Sequence, residues 1–128
     1  MTAQSSEAGT ILVVDDEESV RRLLVALLRD EGYDVLQASN GDDALAVAAK
    51  HAGPIDLVVS DVIMPRMGGD KLLETLRRWY PGLRFLLVSG YPDALSQMHD
   101  FGGTRTSFLG KPFTPDQLAE SVRKLIGE

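Results

Sequence analysis

Ile11-Leu12-Val13-Val14-Asp15-Asp16 runs four aliphatic residues straight into two acids. With no polar residue interrupting it, the apolar part reads as a strand buried on both faces, of the kind found in parallel sheets covered by helices. Short runs of strand length recur at Ile55-Asp56-Leu57-Val58-Val59 and Phe85-Leu86-Leu87-Val88. A weaker run is Thr106-Ser107-Phe108-Leu109, and Tyr33 to Ala38 is a fifth of mixed polarity.

Helix-period segments lie between these runs. Val20, Leu23, Leu24, Leu27 and Leu28 follow the i, i+3, i+4, i+7, i+8 spacing, with Arg21, Arg22, Arg29 and Asp30 on other faces and Gly32 as the stop. Ala44, Leu45 and Ala48 predict a second helix opening at Asn40. Leu72, Leu73, Leu76 and Trp79 predict a third, ended by Pro81, with Trp79 as packing. A short helix around Ala94 to Met98 is expected before Gly102-Gly103. For the last helix, Thr114 is the N-cap, Pro115 takes the first turn and Gln117 completes a capping box. Five strand-then-helix repeats predict an α/β fold, a doubly wound five-stranded parallel sheet of order 2-1-3-4-5 with helices on both faces.

Composition agrees and excludes much else. The chain has 128 residues, 44% hydrophobic and 25% charged, which suits one soluble domain with a real core. Residues 1–9 read as a flexible polar leader and 10–128 as the domain. Thirteen basic against nineteen acidic residues leave a net charge of −6, unfavourable for direct nucleic-acid binding. The absence of cysteine removes disulfides, thiolate metal sites and cysteine nucleophiles. The apolar run Leu23 to Leu28 is far short of the ~20 residues a membrane span needs, so no membrane insertion is expected. Residues 1–9 lack the apolar core of a secretion signal, and the expected location is cytoplasmic.

In open α/β sheets ligands bind beyond the carboxyl ends of the strands. Those positions hold Asp15 and Asp16, then Asp61, Ser89 and Lys111. Singly, each has an ordinary reading: an acid pair capping a turn, a loop acid before Met64-Pro65, a Ser-Gly turn, an exposed lysine. Together they predict three carboxylates that repel one another unless a hard divalent cation, Mg²⁺ above all, lies between them. Lys111 and Ser89 add a positive charge and a hydroxyl donor suited to a phosphoryl group. The chemistry indicated is phosphoryl transfer onto the Asp61 carboxylate.

Asp15-Asp16, Ser60-Asp61-Val62-Ile63-Met64-Pro65 with Gly69, Val88-Ser89-Gly90 and Lys111-Pro112-Phe113 resemble the receiver domains of two-component response regulators, from about Thr10 to Ile126. The resemblance implies the flavodoxin-like form of the fold. It implies that Asp61 accepts a phosphoryl group from a phosphohistidine of a sensor histidine kinase or a histidine phosphotransfer protein. It also implies Mg²⁺ ligation by Asp16, Asp61 and the Ile63 backbone carbonyl, with Asp15 acting through water. Ser89 would then bind a phosphoryl oxygen, Lys111 would pair with the phosphate, and the Lys111–Pro112 peptide would be cis. Phe108 matches the aromatic switch position. The surface reading the switch would comprise the helix expected before residue 103, the fifth strand and the last helix.

Ile63 and Tyr91 depart from commoner receivers and flank the route of water to an acyl phosphate. They predict slowed hydrolysis, against the simpler role of loop packing. The Ser89-Gly90-Tyr91 and Lys111-Pro112-Phe113-Thr114-Pro115 patterns look most like receivers attached to hybrid sensor kinases. No output domain fits in the residues present, and a monomer or weak phosphorylation-dependent dimer is expected. The chain thus reads as a signalling module rather than an enzyme. A phosphohydrolase of the haloacid dehalogenase type would want an acid where Ile63 stands. A flavodoxin-like cofactor binder would want glycines where Asp15 and Asp16 stand. His51 and His99 lack ligand spacing and read as solvent-facing. Met64 and Met67 belong to the loop after Asp61, packing it or meeting a partner.

Overall fold

A computed structural model describes residues 9–91 and 105–127. The chain runs β1 (Thr10–Val14), α1 (Glu18–Asp30), β2 (Asp34–Ala38), α2 (Gly41–Lys50), β3 (Leu57–Asp61), α3 (Gly69–Trp79), β4 (Arg84–Ser89), β5 (Thr106–Gly110) and α4 (Pro115–Ile126). The five strands are parallel in the order β2-β1-β3-β4-β5, as the alternation of elements predicts. Residues 1–8 of the polar leader, the helix expected within 92–103 and His99 lie outside the described residues.

Burial on both sheet faces follows from the side-chain period of two. Leu12, Val14, Val58, Phe85 and Leu87 face α2 and α3, in one core with Leu72 and Leu76. Ile11, Val13, Leu57, Val59, Leu86 and Val88 face α1 and α4, in a second core with Leu24, Leu28, Leu118 and Val122. Leu24 and Leu28 are fully buried, each worth ~1.5–3 kcal/mol of burial free energy.

The helix ends behave as their sequences dictate. After α1, the Gly32 amide donates to the Arg29 carbonyl at 3.0 Å and the Tyr33 amide to Leu28 at 3.2 Å. That bonding pattern needs a left-handed residue, and Gly32 supplies it at φ 97°. Asn40 caps α2 by accepting from the Asp43 amide at 2.7 Å. Thr114 and Gln117 form the reciprocal capping box of α4, at 2.9 and 3.0 Å.

Two apolar residues depart from the expected stripes. Leu23 is 54% exposed, because α1 is rotated to bury Leu24, Val25 and Leu28. Trp79, the last residue of α3, is 46% exposed rather than packed. The following Tyr80 turns back in its place, and its hydroxyl donates to the Ala48 carbonyl at 3.3 Å. No described helix is long and apolar enough to cross a membrane.

Candidate functional site

Parallel strands all end on one side, so the residues closing β1, β3, β4 and β5 meet there. β3 and β4 extend past the last residues of their apolar runs. Asp61 and Ser89 therefore do not follow the ladder but end it, as the last residues of β3 and β4, with Asp61 in register with Val88. That placement holds Asp61 by sheet hydrogen bonding rather than by a loop. The Val62 amide donates to the Val88 carbonyl at 3.0 Å, and the Gly69 amide to the Val62 carbonyl at 2.8 Å.

Asp15, Asp16 and Asp61 each offer a carboxylate oxygen within 4.8 Å of the others, the one such cluster of three or more potential ligands among the described residues. Asp15 is fully buried, Asp61 is 9% exposed and Asp16 is exposed. The Lys111 ammonium donates to Asp61 Oδ2 at 3.1 Å and to Asp15 Oδ2 at 3.3 Å. The remaining oxygens are also met: the Glu17 amide donates to Asp15 Oδ1 at 2.9 Å, and the Ile63 amide to Asp61 Oδ1 at 3.2 Å. Ile63 thus touches the site through its amide.

Burial raises the pKa of Asp15 above the usual carboxylate value. The Glu17 amide and the Lys111 charge oppose that rise, and the Asp61 charge adds to it. Burial likewise pulls the Lys111 ammonium down, but the charges of Asp15 and Asp61 together outweigh it and leave its pKa raised. Packed acids destabilise one another, and a cation answers both. The Lys111 ammonium is one such cation. An all-oxygen carboxylate set of this kind fits Mg²⁺, which usually keeps several of its waters when bound. Asp15, Asp16 and Asp61 are the residues that could hold it.

Ser89 is buried, and its hydroxyl accepts from the Tyr91 amide at 3.0 Å. The Lys111 amide donates to the Ser89 carbonyl at 2.8 Å, tying the end of β5 to that of β4. The Lys111–Pro112 peptide is cis, as expected. Phe108 is half-buried, in register with Leu87 and packed against the α2–α3 core. Above Asp61 opens a cleft lined by Asp16, Glu17, Ile63, Met64, Pro65 and Tyr91. Ile63 and Tyr91 are its exposed apolar walls, at 50% and 63%. Met64 is buried against the α2–α3 core and Met67 packs partly on it, so both hold the loop. Val20, Leu23, Pro112 and Phe113 form an apolar patch beside Lys111.

The helical wheel gave no reason to look at Arg21. Its Nη1 donates to the Asp15 backbone carbonyl at 3.0 Å, and its Nε to Gln37 Oε1 at 3.3 Å. The available signal was a cation in the opening turn of a helix, where the dipole favours acids.

The sequence model of the response regulator receiver domain matches residues 11–123. The chain belongs to that family. It is thus a receiver domain of two-component signalling, a family whose general role is phosphoacceptance. This receiver is 39% identical over 121 residues to the sensor kinase CckA of Brucella abortus, covering 94% of this chain. It is 40% identical over 132 residues to the sensor histidine kinase RcsC of Salmonella typhi, covering 96%. It spans only 13% and 14% of those two proteins. The crystal structure of the receiver domain of the hybrid histidine kinase CckA superposes with a TM-score of 0.79 at 40% identity, covering 92% of this chain and 99% of that one. The Vibrio cholerae chemotaxis protein CheY4 superposes at 0.80 with 31% identity, covering 91% and 98%.

Proposed function

We propose that Asp61 is the phosphoacceptor of this receiver, charged in a Mg²⁺-dependent reaction by a phosphohistidine on a sensor histidine kinase or a histidine phosphotransfer protein. The observation that carries the reading is the meeting of three carboxylates within 4.8 Å under one ammonium. An Asp61 carboxylate oxygen attacks phosphorus, the P–N bond breaks, and the imidazole nitrogen keeps the electron pair. Asp61 is held for this by the Ile63 amide on one oxygen and by its place at the end of the ladder. Lys111, 3.1 Å from Oδ2, turns from that oxygen to the phosphoryl oxygens and neutralises their charge. Asp15, Asp16, Asp61 and the Ile63 carbonyl would hold Mg²⁺, which when bound supplies further neutralisation of the transferring group.

Ser89 and Phe108 are the proposed switch. The Ser89 hydroxyl leaves the Tyr91 amide for a phosphoryl oxygen, and Phe108, beside Leu87 on the same sheet face, rotates into the space released. The apolar patch of Val20, Leu23, Pro112 and Phe113 lies next to Lys111, where a partner's helix would meet the site. These roles make the chain a signalling module rather than an enzyme, limited to one phosphoryl group at a time and its slow autodephosphorylation.

The test is incubation with phosphoramidate and Mg²⁺, followed by intact mass. One phosphoryl group per chain is expected, lost in Asp61→Asn and on chelation of the metal. Labelling that persists in Asp61→Asn, or continuous hydrolysis of small phosphate esters, would overturn the reading.

A further inference from the structure

Of the three clustered acids, Asp16 is held differently from its neighbours. The Asp15 and Asp61 carboxylates are each fixed by a backbone amide and by Lys111. The Asp16 side chain has no hydrogen bond or ion pair among the described residues, and it is exposed. With its χ angles free, only the backbone that carries it fixes where it stands relative to Asp15 and Asp61. The Asp15 carbonyl and the Asp16 amide share one rigid peptide plane, and Arg21 donates to that carbonyl at 3.0 Å. The other end of the guanidinium fork is anchored on Gln37 of β2 at 3.3 Å, so the plane is braced from the neighbouring strand. On the far side, the Asp15 amide donates to the Ala38 carbonyl at 3.3 Å, also on β2.

We propose that Arg21 is a positioning residue for the divalent-cation site, holding the Asp15–Asp16 peptide so that the Asp16 carboxylate points at the ion. The inference rests on the reading that Asp15, Asp16 and Asp61 bind Mg²⁺. Arg21 makes no contact with the reacting atoms. It acts through the one carboxylate of the three that has no hydrogen bond of its own among the described residues.

Charge and position make opposite demands here, which renders the proposal decidable. Arg21 is a cation beside a cation site, so by charge alone its removal tightens Mg²⁺ binding. By positioning, its removal frees the peptide and weakens binding. Outer-shell partners of metal ligands command about 10–100-fold in affinity, and an exposed ligand steered through its backbone belongs near or below the lower end.

Mg²⁺ is titrated calorimetrically into the parent, Arg21→Met, Arg21→Lys and Gln37→Leu, well below their melting temperatures. The dissociation constant is expected to rise about three- to tenfold in Arg21→Met, in keeping with a modest outer-shell effect. Arg21→Lys keeps the charge but cannot span both acceptors, and an intermediate value is expected. An Arg21→Met constant equal to or below the parent's overturns the proposal. Should Arg21→Met fail to fold, Gln37→Leu decides: a rise of about twofold or more upholds the brace, and no change overturns it. A parent that shows no saturable Mg²⁺ binding, by heat or by competition against Mn²⁺, or an Asp16→Asn variant that binds as the parent does, overturns the cation reading itself and this inference with it.

Discussion

Gly69→Ala tests whether the first residue of α3 must be a glycine for Asp61 to sit where it does. A Cβ at Gly69 would lie 2.6 Å from the Asp61 carbonyl oxygen, 3.1 Å from Val62 Cα and 3.2 Å from Leu87 Cδ2. Ordinary contact begins at 3.4 Å, so relief needs a displacement of roughly 0.8 Å where interiors are close-packed. The obstacle is main chain, already pinned by the bonds from Val62 to Val88 and from Gly69 to Val62. Overpacking costs about 1–3 kcal/mol and weakening the Gly69–Val62 hydrogen bond about 0.5–1.5, less up to ~1 regained from alanine's helix propensity. The net is a loss of about 2 kcal/mol, or roughly 6–10 °C in melting temperature for a domain of this size. Urea and thermal unfolding by circular dichroism measure it. Gly90→Ala is the control, because its Cβ would meet nothing closer than Lys111 Cβ at 3.8 Å, and it should stay within about 0.5 kcal/mol of the parent. Neither glycine has a positive φ, so steric contact is the difference between them. A Gly69→Ala protein as stable as the parent, or a Gly90→Ala protein equally damaged, would refute the reasoning.

Two further outcomes follow from the site. The Asp15 pKa is raised chiefly by burial, so above the usual carboxylate pKa of about 3.9 the folded chain binds a proton more tightly than the unfolded one, and stability falls as pH rises. In metal-free solution Asp15→Asn should therefore melt higher than the parent at pH 7, the two converging as pH falls below that value. A gap independent of pH, or a less stable variant, would show that Asp15 carries no such penalty. Ile63 and Tyr91 wall the cleft over Asp61, and replacing them by polar residues that admit and orient water (Ile63→Asn, Tyr91→Glu) should shorten the lifetime of the aspartyl phosphate severalfold. Decay at the parent rate in both variants would leave the two side chains as loop packing or partner contacts.

The order of elements was open to reading because each rests on local physics. Uninterrupted aliphatic runs make two-faced strands, and Thr114 with Gln117, Asn40 and Gly32 mark helix ends by the hydrogen bonds their own atoms make. Residues that follow apolar runs share one end of a parallel sheet, so Asp15, Asp16, Asp61, Ser89 and Lys111 could be grouped before any contact was known. The family resemblance supplied their expected roles and the cis peptide at Lys111–Pro112.

Other features had no local signal. Periodicity places Leu23 and Trp79 on apolar stripes, but rotation of α1 and the ending of α3 at Trp79 leave both exposed. The same periodicity sends Arg21 to solvent, whereas its long side chain folds back over the β1–α1 loop to reach a carbonyl and a neighbouring strand. The sequence by itself determined which chemical groups meet, since strand polarity and crossover sense follow from chain chirality and pattern. Only the tertiary structure decided how they meet: Asp15 buried and Asp16 exposed, Lys111 shared between two carboxylates, Asp61 inside the ladder rather than beyond it. Those are matters of ångströms between residues far apart in the chain, set by packing of the whole core.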